Sequence, residues 1–226
     1  MITNSQGSPS SSKPSSWSAR WRDCLCQHRL IAVIRASTLE AGINMAQSAA
    51  DGGIHLLEIA SPQPVRLLQQ IQQALPHCTV GVGTVLSGQA LEGAIAAGAQ
   101  FAFSPHTSTK MIALAASKGV PFIPGAMTPT EIITAWQAGA AAVKVFPIST
   151  LGGTTYIRSL QGPLGHIPVI PTGGVNLTTA PDLLKAGAIA VGLSSALFPR
   201  ADIEAQNWSA IRQRAQDLVR VCQHDG

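Results

Sequence analysis

Charge and aromatic surface are both scarce in this chain: only 12% of its 226 residues are charged and 4% aromatic, with a single tyrosine. A nucleic-acid surface combines a basic stripe with stacking aromatics. Here the basic residues are scattered, so no nucleic-acid partner is expected, and the formal charge of +4 fits a site for a small anion. No apolar run approaches the length that crosses a bilayer, and no hydrophobic signal segment is present. The expectation is therefore a soluble, cytoplasmic protein with no membrane partner. The four cysteines, at 24, 26, 78 and 222, form no Cys-x-x-Cys pair, which argues against a zinc ribbon or a disulfide framework and for reduced thiols. No Gly-x-Gly-x-x-Gly follows the first apolar run, so the dinucleotide fingerprint is missing. With no second histidine or carboxylate at ligand spacing, no metal site is expected either.

What the chain has in quantity is apolar residues, 46% of the total, enough for one large core. The first sixteen residues, MITNSQGSPSSSKPSS, are the exception. They cannot bury enough apolar surface to offset the entropy of ordering, so 1–16 reads as a disordered Ser/Pro-rich tail; as a transit peptide it lacks the arginines of a targeting helix.

Over 17–226 short apolar runs alternate with helix-like stretches: LIAVIR (30–35), HLLEI (55–59), TVGVG (79–83), FAFS (101–104), VPFIP (120–124), AVKVF (142–146), PVIPT (168–172) and IAVGL (189–193). Helix starts are marked by Ser37 or Thr38, by the capping-box pattern from Thr128 to Glu131 and by Asn176, and helix ends by Gly53, Gly98, Gly119, Gly139 and Gly187. Strands apolar on both faces, each joined by a helix, imply a parallel sheet covered by helices. Eight such units predict an α/β protein of one domain, a closed (β/α)8 TIM barrel, with a doubly wound open sheet as the competing architecture. Trp17 to Arg29 reads as a leading helix that closes the barrel bottom, and Asp202 to Gln223 as a terminal helix on the outside.

In a barrel of this kind the chemistry sits at the C-terminal ends of the strands. The polar residues falling there are few: Arg35 on the first strand, Glu58 on the second, Thr84 after the third, Lys144 in the sixth and Thr172 ending the seventh. Side chains alternate along a strand, so their apolar neighbours can face the helices while these residues point into the mouth. Lys144 is the most informative of them. Burying an ammonium is costly and favours the neutral amine, a nucleophile for imine chemistry. Competing readings are a structural ion pair of Arg35 with Glu58, a lysine snorkelling to water, and a Thr84 that only satisfies backbone near Gly83. Gly173-Gly174 after the seventh strand and Gly192-Leu193-Ser194-Ser195 after the eighth suit backbone N–H contacts to phosphate, or simply tight turns. His106 past the fourth strand reads as a helix-start or solvent-facing residue, and His55 begins its strand, at the wrong end for catalysis.

Leu-Leu-Glu-Ile, Val-Gly-Val-Gly-Thr-Val-Leu, Phe-Ser-Pro-His, Ile-Pro-Gly-Ala-Met-Thr-Pro-Thr-Glu, Val-Lys-Val-Phe-Pro and Ile-Pro-Thr-Gly-Gly-Val-Asn occur in order between about Leu30 and Pro199. This set resembles the bacterial 2-keto-3-deoxy-6-phosphogluconate (KDPG) aldolases. The resemblance implies a class I aldolase, commonly a homotrimer, that needs no metal or organic cofactor. Its substrate is a small phosphorylated keto acid, cleaved to pyruvate and glyceraldehyde 3-phosphate, and many members also cleave 4-hydroxy-2-oxoglutarate. Carried over by motif, Lys144 is the Schiff-base lysine and Glu58 the general acid/base. Thr84 and Pro105 match the pyruvate pocket, Thr172 a substrate contact, and Gly173, Gly174 and Ser195 the phosphate contacts. Some members carry Glu-Val-Thr-Leu-Arg on the second strand, the arginine gripping the carboxylate, where this chain reads Glu58-Ile59-Ala60-Ser61-Pro62. Arg35 is therefore assigned the carboxylate, and the related 6-phosphogalactonate aldolases, which also differ in this stretch, are the alternative. A phosphate-binding barrel that is not an aldolase, or a scaffold without turnover, are the remaining rivals.

Overall fold

The structure, a computed structural model, describes residues 16–223. The expected disordered tail falls almost wholly outside that range. The chain opens with helix α1 (Ser16–His28) and then alternates strands and helices: β1 (Leu30–Ile34), α2 (Leu39–Asp51), β2 (Leu56–Ile59), α3 (Pro64–Ala74), β3 (Thr79–Val82), α4 (Gly88–Ala96), β4 (Ala102–Phe103), α5 (Thr109–Ser117), β5 (Phe122–Ile123), β6 (Gly125–Ala126), α6 (Pro129–Gln137), β7 (Val143–Val145), α7 (Thr154–Leu164), β8 (Val169–Pro171), α8 (Thr179–Lys185), β9 (Val191–Leu193), α9 (Arg200–Glu204) and α10 (Trp208–Gln223).

All pairings are parallel, in the orders β5-β4-β3-β2-β1-β9 and β6-β7-β8. Two links close these arcs into a ring. Thr172 bridges to Gly192 between β8 and β9, and on the other side the amides of Ala141 and Lys144 donate to the carbonyls of Phe122 and Pro124. β5 and β6 are thus one strand of the barrel interrupted at Pro124, which has no N–H to give a ladder. Counting them together, the ring has the eight strands the sequence predicts, and closure leaves no sheet edge to protect.

The helix punctuation follows from local chemistry. Thr38 accepts from the Ala41 amide at the start of α2, Thr128 and Glu131 complete a capping box on α6, and the Asn176 side chain accepts from the amides of Thr178 and Thr179. The five predicted helix-ending glycines all take positive φ, a conformation that a Cβ penalises. One boundary differs. The single terminal helix expected over 202–223 is two helices, α9 and α10, because Gln206 turns left-handed at φ 53° and Asn207 accepts from the Ala210 amide to start the second.

Two apolar layers hold the barrel. Outward-facing strand residues such as Ala32, Ile34, Leu57, Ile59, Val143 and Val145 pack under the helices, while Ile31, Leu56, Phe101, Phe103, Ile123 and Ile170 fill the interior. α1 closes the N-terminal end from below. Its Trp21 and Leu25 join the interior cluster, with Trp21 and Phe101 rings 5.0 Å apart. Full burial of each such side chain stabilises the fold by about 1.5–3 kcal/mol, so the interior of the lower barrel is a packed plug.

Candidate active site

The strand period of two decides which polar residues enter the mouth. On β2, Leu56 faces the interior and Leu57 the helices, so Glu58 faces inward again; on β7, Val143 and Val145 face the helices and Lys144 faces inward. The two residues come from opposite sides of the ring. Lys144 is 3% and Glu58 1% exposed, and Nζ lies 3.7 Å from Oε1. That is an ion-pair distance but longer than a hydrogen bond, and both Glu58 oxygens are buried with no hydrogen-bond partner. Glu58 pairs with Lys144, not with Arg35 as the structural ion-pair reading of the sequence had it. A buried carboxylate with unused acceptor capacity beside an amine is poised for proton transfer with a ligand placed between them.

Apolar surfaces frame the pair. Lys144 Nζ sits 5.5 Å from the Phe103 ring centroid and 5.3 Å from that of Phe146, close enough for both faces to attract a cation. Gly83 makes the space for the carboxylate: a Cβ there would fall on the Glu58 side chain. Gly192 does the same for Thr172, whose buried side chain lies 2.5 Å from where a Cβ would stand. The second glycine of Val-Gly-Val-Gly and the glycine of strand β9 thus make room for the side chains beside the pair. The sequence reading put Gly192 in a phosphate-contacting stretch after the eighth strand; it lies instead within β9, against Thr172. Phe103 and Phe146 were not singled out in the sequence, and strand parity beside Glu58 and Lys144 was the available signal.

Around this centre the other predicted residues divide. Thr84 follows β3 with φ 58°, an exposed β-branched residue in the left-handed region. Such a conformation costs of order 1–3 kcal/mol and persists where the surroundings impose it. Pro105 follows β4, half-buried, with its carbonyl against Gly125. Gly173 and Gly174 both have positive φ, and their missing side chains leave room for Phe146, Pro147 and Ser149. Ser195 and Arg35 meet elsewhere, in a cavity of about 440 Å³ also lined by Ser194, Arg200 and Glu204. Arg200 is neutralised there by Glu204 at 2.6 Å, so Arg35 and the Ser194-Ser195 turn are what the cavity offers an anion. His106 is exposed, its Nδ1 3.1 Å from the Ser104 hydroxyl, and Ser108 rather than His106 caps α5.

Known proteins resemble this chain in sequence and in fold. Residues 22–214 match the family described as KDPG and KHG aldolase. The 2-dehydro-3-deoxy-phosphogluconate aldolase of Dickeya dadantii is 31% identical over 205 residues, covering 90% of this chain and 96% of that protein. A probable 2-dehydro-3-deoxy-6-phosphogalactonate aldolase of Rhizobium meliloti is 33% identical over 191 residues, covering 82% and 87%. Among solved structures, the KDPG aldolase of Legionella pneumophila, crystallised with pyruvate captured as a covalent carbinolamine intermediate, superposes with a TM-score of 0.81 at 27% identity, covering 87% of this chain and 97% of that one.

Proposed function

The chain belongs to the KDPG and KHG aldolase family, and from that premise we propose that Lys144 and Glu58 carry out its carbon–carbon cleavage. The protein is an aldolase, a lyase. Its substrate is KDPG, which gives pyruvate and glyceraldehyde 3-phosphate, and the family's second substrate, 4-hydroxy-2-oxoglutarate, fits the same chemistry. The observation that carries the residue assignment is the buried Lys144–Glu58 pair at 3.7 Å with both carboxylate oxygens unpartnered.

The Lys144 amine adds to the C2 carbonyl, and the carbinolamine loses water to become an iminium. The C3–C4 bond then breaks with its electron pair flowing to the iminium nitrogen, while the C4 hydroxyl proton passes to Glu58 and C4 leaves as the aldehyde. Glu58 returns that proton to C3 of the enamine. Water hydrolyses the resulting iminium, releasing pyruvate and restoring the amine. The imine nitrogen is itself the electron sink, so this route uses no metal or organic cofactor.

Thr84, Pro105 and Thr172 border the pyruvate end in this proposal, with Gly173, Gly174 and Ser195 at the phosphate. Arg35, assigned the carboxylate on sequence grounds, shares its cavity with Ser194 and Ser195; that placement favours a phosphate contact. Phosphate held remote from the reacting bond orients the substrate, and orientation alone lowers a barrier substantially. The likeness to a probable phosphogalactonate aldolase, together with Ala60-Ser61-Pro62 in place of the arginine-bearing stretch, supports a second reading in which the galactonate epimer is preferred.

Both readings are tested by following pyruvate release from the two epimeric phosphorylated acids, with wild type and with Lys144→Ala and Glu58→Gln. The proposal expects turnover of the gluconate epimer at the higher kcat/KM and a loss of about 100-fold or more in each variant. A folded Lys144→Ala protein that still releases pyruvate contradicts the assignment, and a higher kcat/KM on the galactonate epimer selects the second reading. A homotrimer in the cytoplasm is the assembly and location proposed, by resemblance; a solution mass of three times 23.4 kDa checks the former. Among the described residues no helix is long and apolar enough to cross a membrane.

A further inference from the structure

At the foot of the barrel, the end away from the mouth, the strand register assembles a second group of reactive side chains. Leu56 on β2 pairs with Thr79 on β3, and the Thr79 amide donates to the His55 carbonyl. The residues just before the two strands, His55 and Cys78, are therefore neighbours, and His77 is brought along by the chain. Cys78 Sγ lies 3.9 Å from His55 Nδ1. One donor atom from each of His55, His77 and Cys78 falls within 4.8 Å of the others. The His55 ring stands edge-on to both His77 and His28, with centroids 5.5 Å and 5.8 Å away.

We propose that His55, His77 and Cys78 form a zinc-binding site at the N-terminal face of the barrel, separate from the aldolase centre. Two imidazoles and a thiolate are the donor set that a borderline-soft, tetrahedral ion selects, and they suit zinc better than the oxygen-seeking magnesium or calcium. The fourth position falls to water or to His28, the next ring in the row. Zinc bonds of about 2.0–2.3 Å need donors closer than 4.8 Å; His77 is exposed and its ring is free to swing in. The metal ties the starts of β2 and β3 together, a structural role appropriate to this face.

The protonation states set the chemistry of loading. His55 and His77 ligate as neutral imidazoles and Cys78 as the thiolate. The Cys78 thiol is pushed up to about 11 by burial first and by Asp51 second. Ligation therefore displaces the thiol proton to solvent as the sulfur–zinc bond forms. The site owes nothing to the aldolase assignment, since it shares no residue with the mouth.

The test is zinc titration of the full-length, untagged, metal-stripped protein against a chromophoric chelator, with Co²⁺ as the spectroscopic probe. One zinc per chain, a higher melting temperature, and a thiolate-to-cobalt charge-transfer band are expected. His77→Ala, which touches only an exposed ring and spares folding, should weaken binding by about tenfold or more. Cys78→Ser should remove the charge-transfer band. Pyruvate-releasing activity should be equal in the metal-free and zinc-loaded protein. Substoichiometric zinc, unchanged affinity in His77→Ala, or a charge-transfer band that survives in Cys78→Ser overturns the site; activity that follows zinc content overturns its separation from the aldolase centre.

Discussion

Gly83 shows how narrowly the mouth is built at the residue scale. A methyl group at this position, which the strand period turns inward, meets the Glu58 carboxylate, itself buried in the barrel. Gly83→Ala is expected to cost about 1–3 kcal/mol by overpacking and to push Glu58 out of reach, lowering kcat far more than the stability change explains. Gly93→Ala is the control: nothing lies within 4 Å of a Cβ there, and inside α4 the change should stabilise by about 0.5–1 kcal/mol. Steady-state kinetics and thermal melts on both variants check this; Gly83→Ala with wild-type kcat contradicts the tight fit. Lys144 and Glu58 were legible in the sequence because a charged residue among apolar neighbours stands out by strand parity alone. The packing of Gly83 and Gly192 was not, Gly192 having been read as part of a phosphate stretch, because what each accommodates lies on another element. The same is true of His55, His77 and Cys78, whose spacing along the chain resembles no ligand motif; only the Leu56–Thr79 register sets them side by side.

Among the elements, α6 carries the clearest local code. Glu131 Oε2 accepts from the Met127 amide at 2.7 Å and the Thr128 amide at 2.8 Å, while the Glu131 amide donates to Thr128 Oγ1. Those bonds, the Met127 amide foremost, hold the Glu131 carboxyl below the usual carboxylate range. A depressed folded-state pKa contributes stability above the unfolded value and loses it as pH falls through the folded one. Glu131→Gln should therefore lower the melting temperature at neutral pH, with the difference from wild type closing as the pH drops below the carboxylate range. A pH-independent difference contradicts this account. Thr128→Ala should cost about 1 kcal/mol in chemical denaturation. Caps and helix-ending glycines of this kind were readable residue by residue, since each acts on backbone within a turn of itself. The two misplacements have tertiary or conformational causes. Pro124 splits a strand whose pairing continues on both sides, and Gln206 takes a left-handed turn that its residue type does not announce.

On the two proposals, the whole molecule divides its functions between the two ends of one closed sheet. α1 and the aromatic interior fill the lower barrel, which leaves the mouth to Lys144 and Glu58, set face to face by β7 and β2 from opposite walls. The place of the mouth was legible in outline, because eight apolar runs alternating with helices admit few other topologies and the C-terminal strand ends then hold few polar side chains. The assignment of Arg35 was less so: its cavity partners come from the loop after β9, which only ring closure brings to β1. The central claim is that a lysine buried in this mouth forms an imine with the keto acid. Its most direct test is incubation of the protein with pyruvate, reduction with borohydride, and peptide mass mapping. The account predicts a stable 1-carboxyethyl adduct on Lys144, absent without pyruvate; an unmodified Lys144, or an adduct on any other lysine, contradicts it.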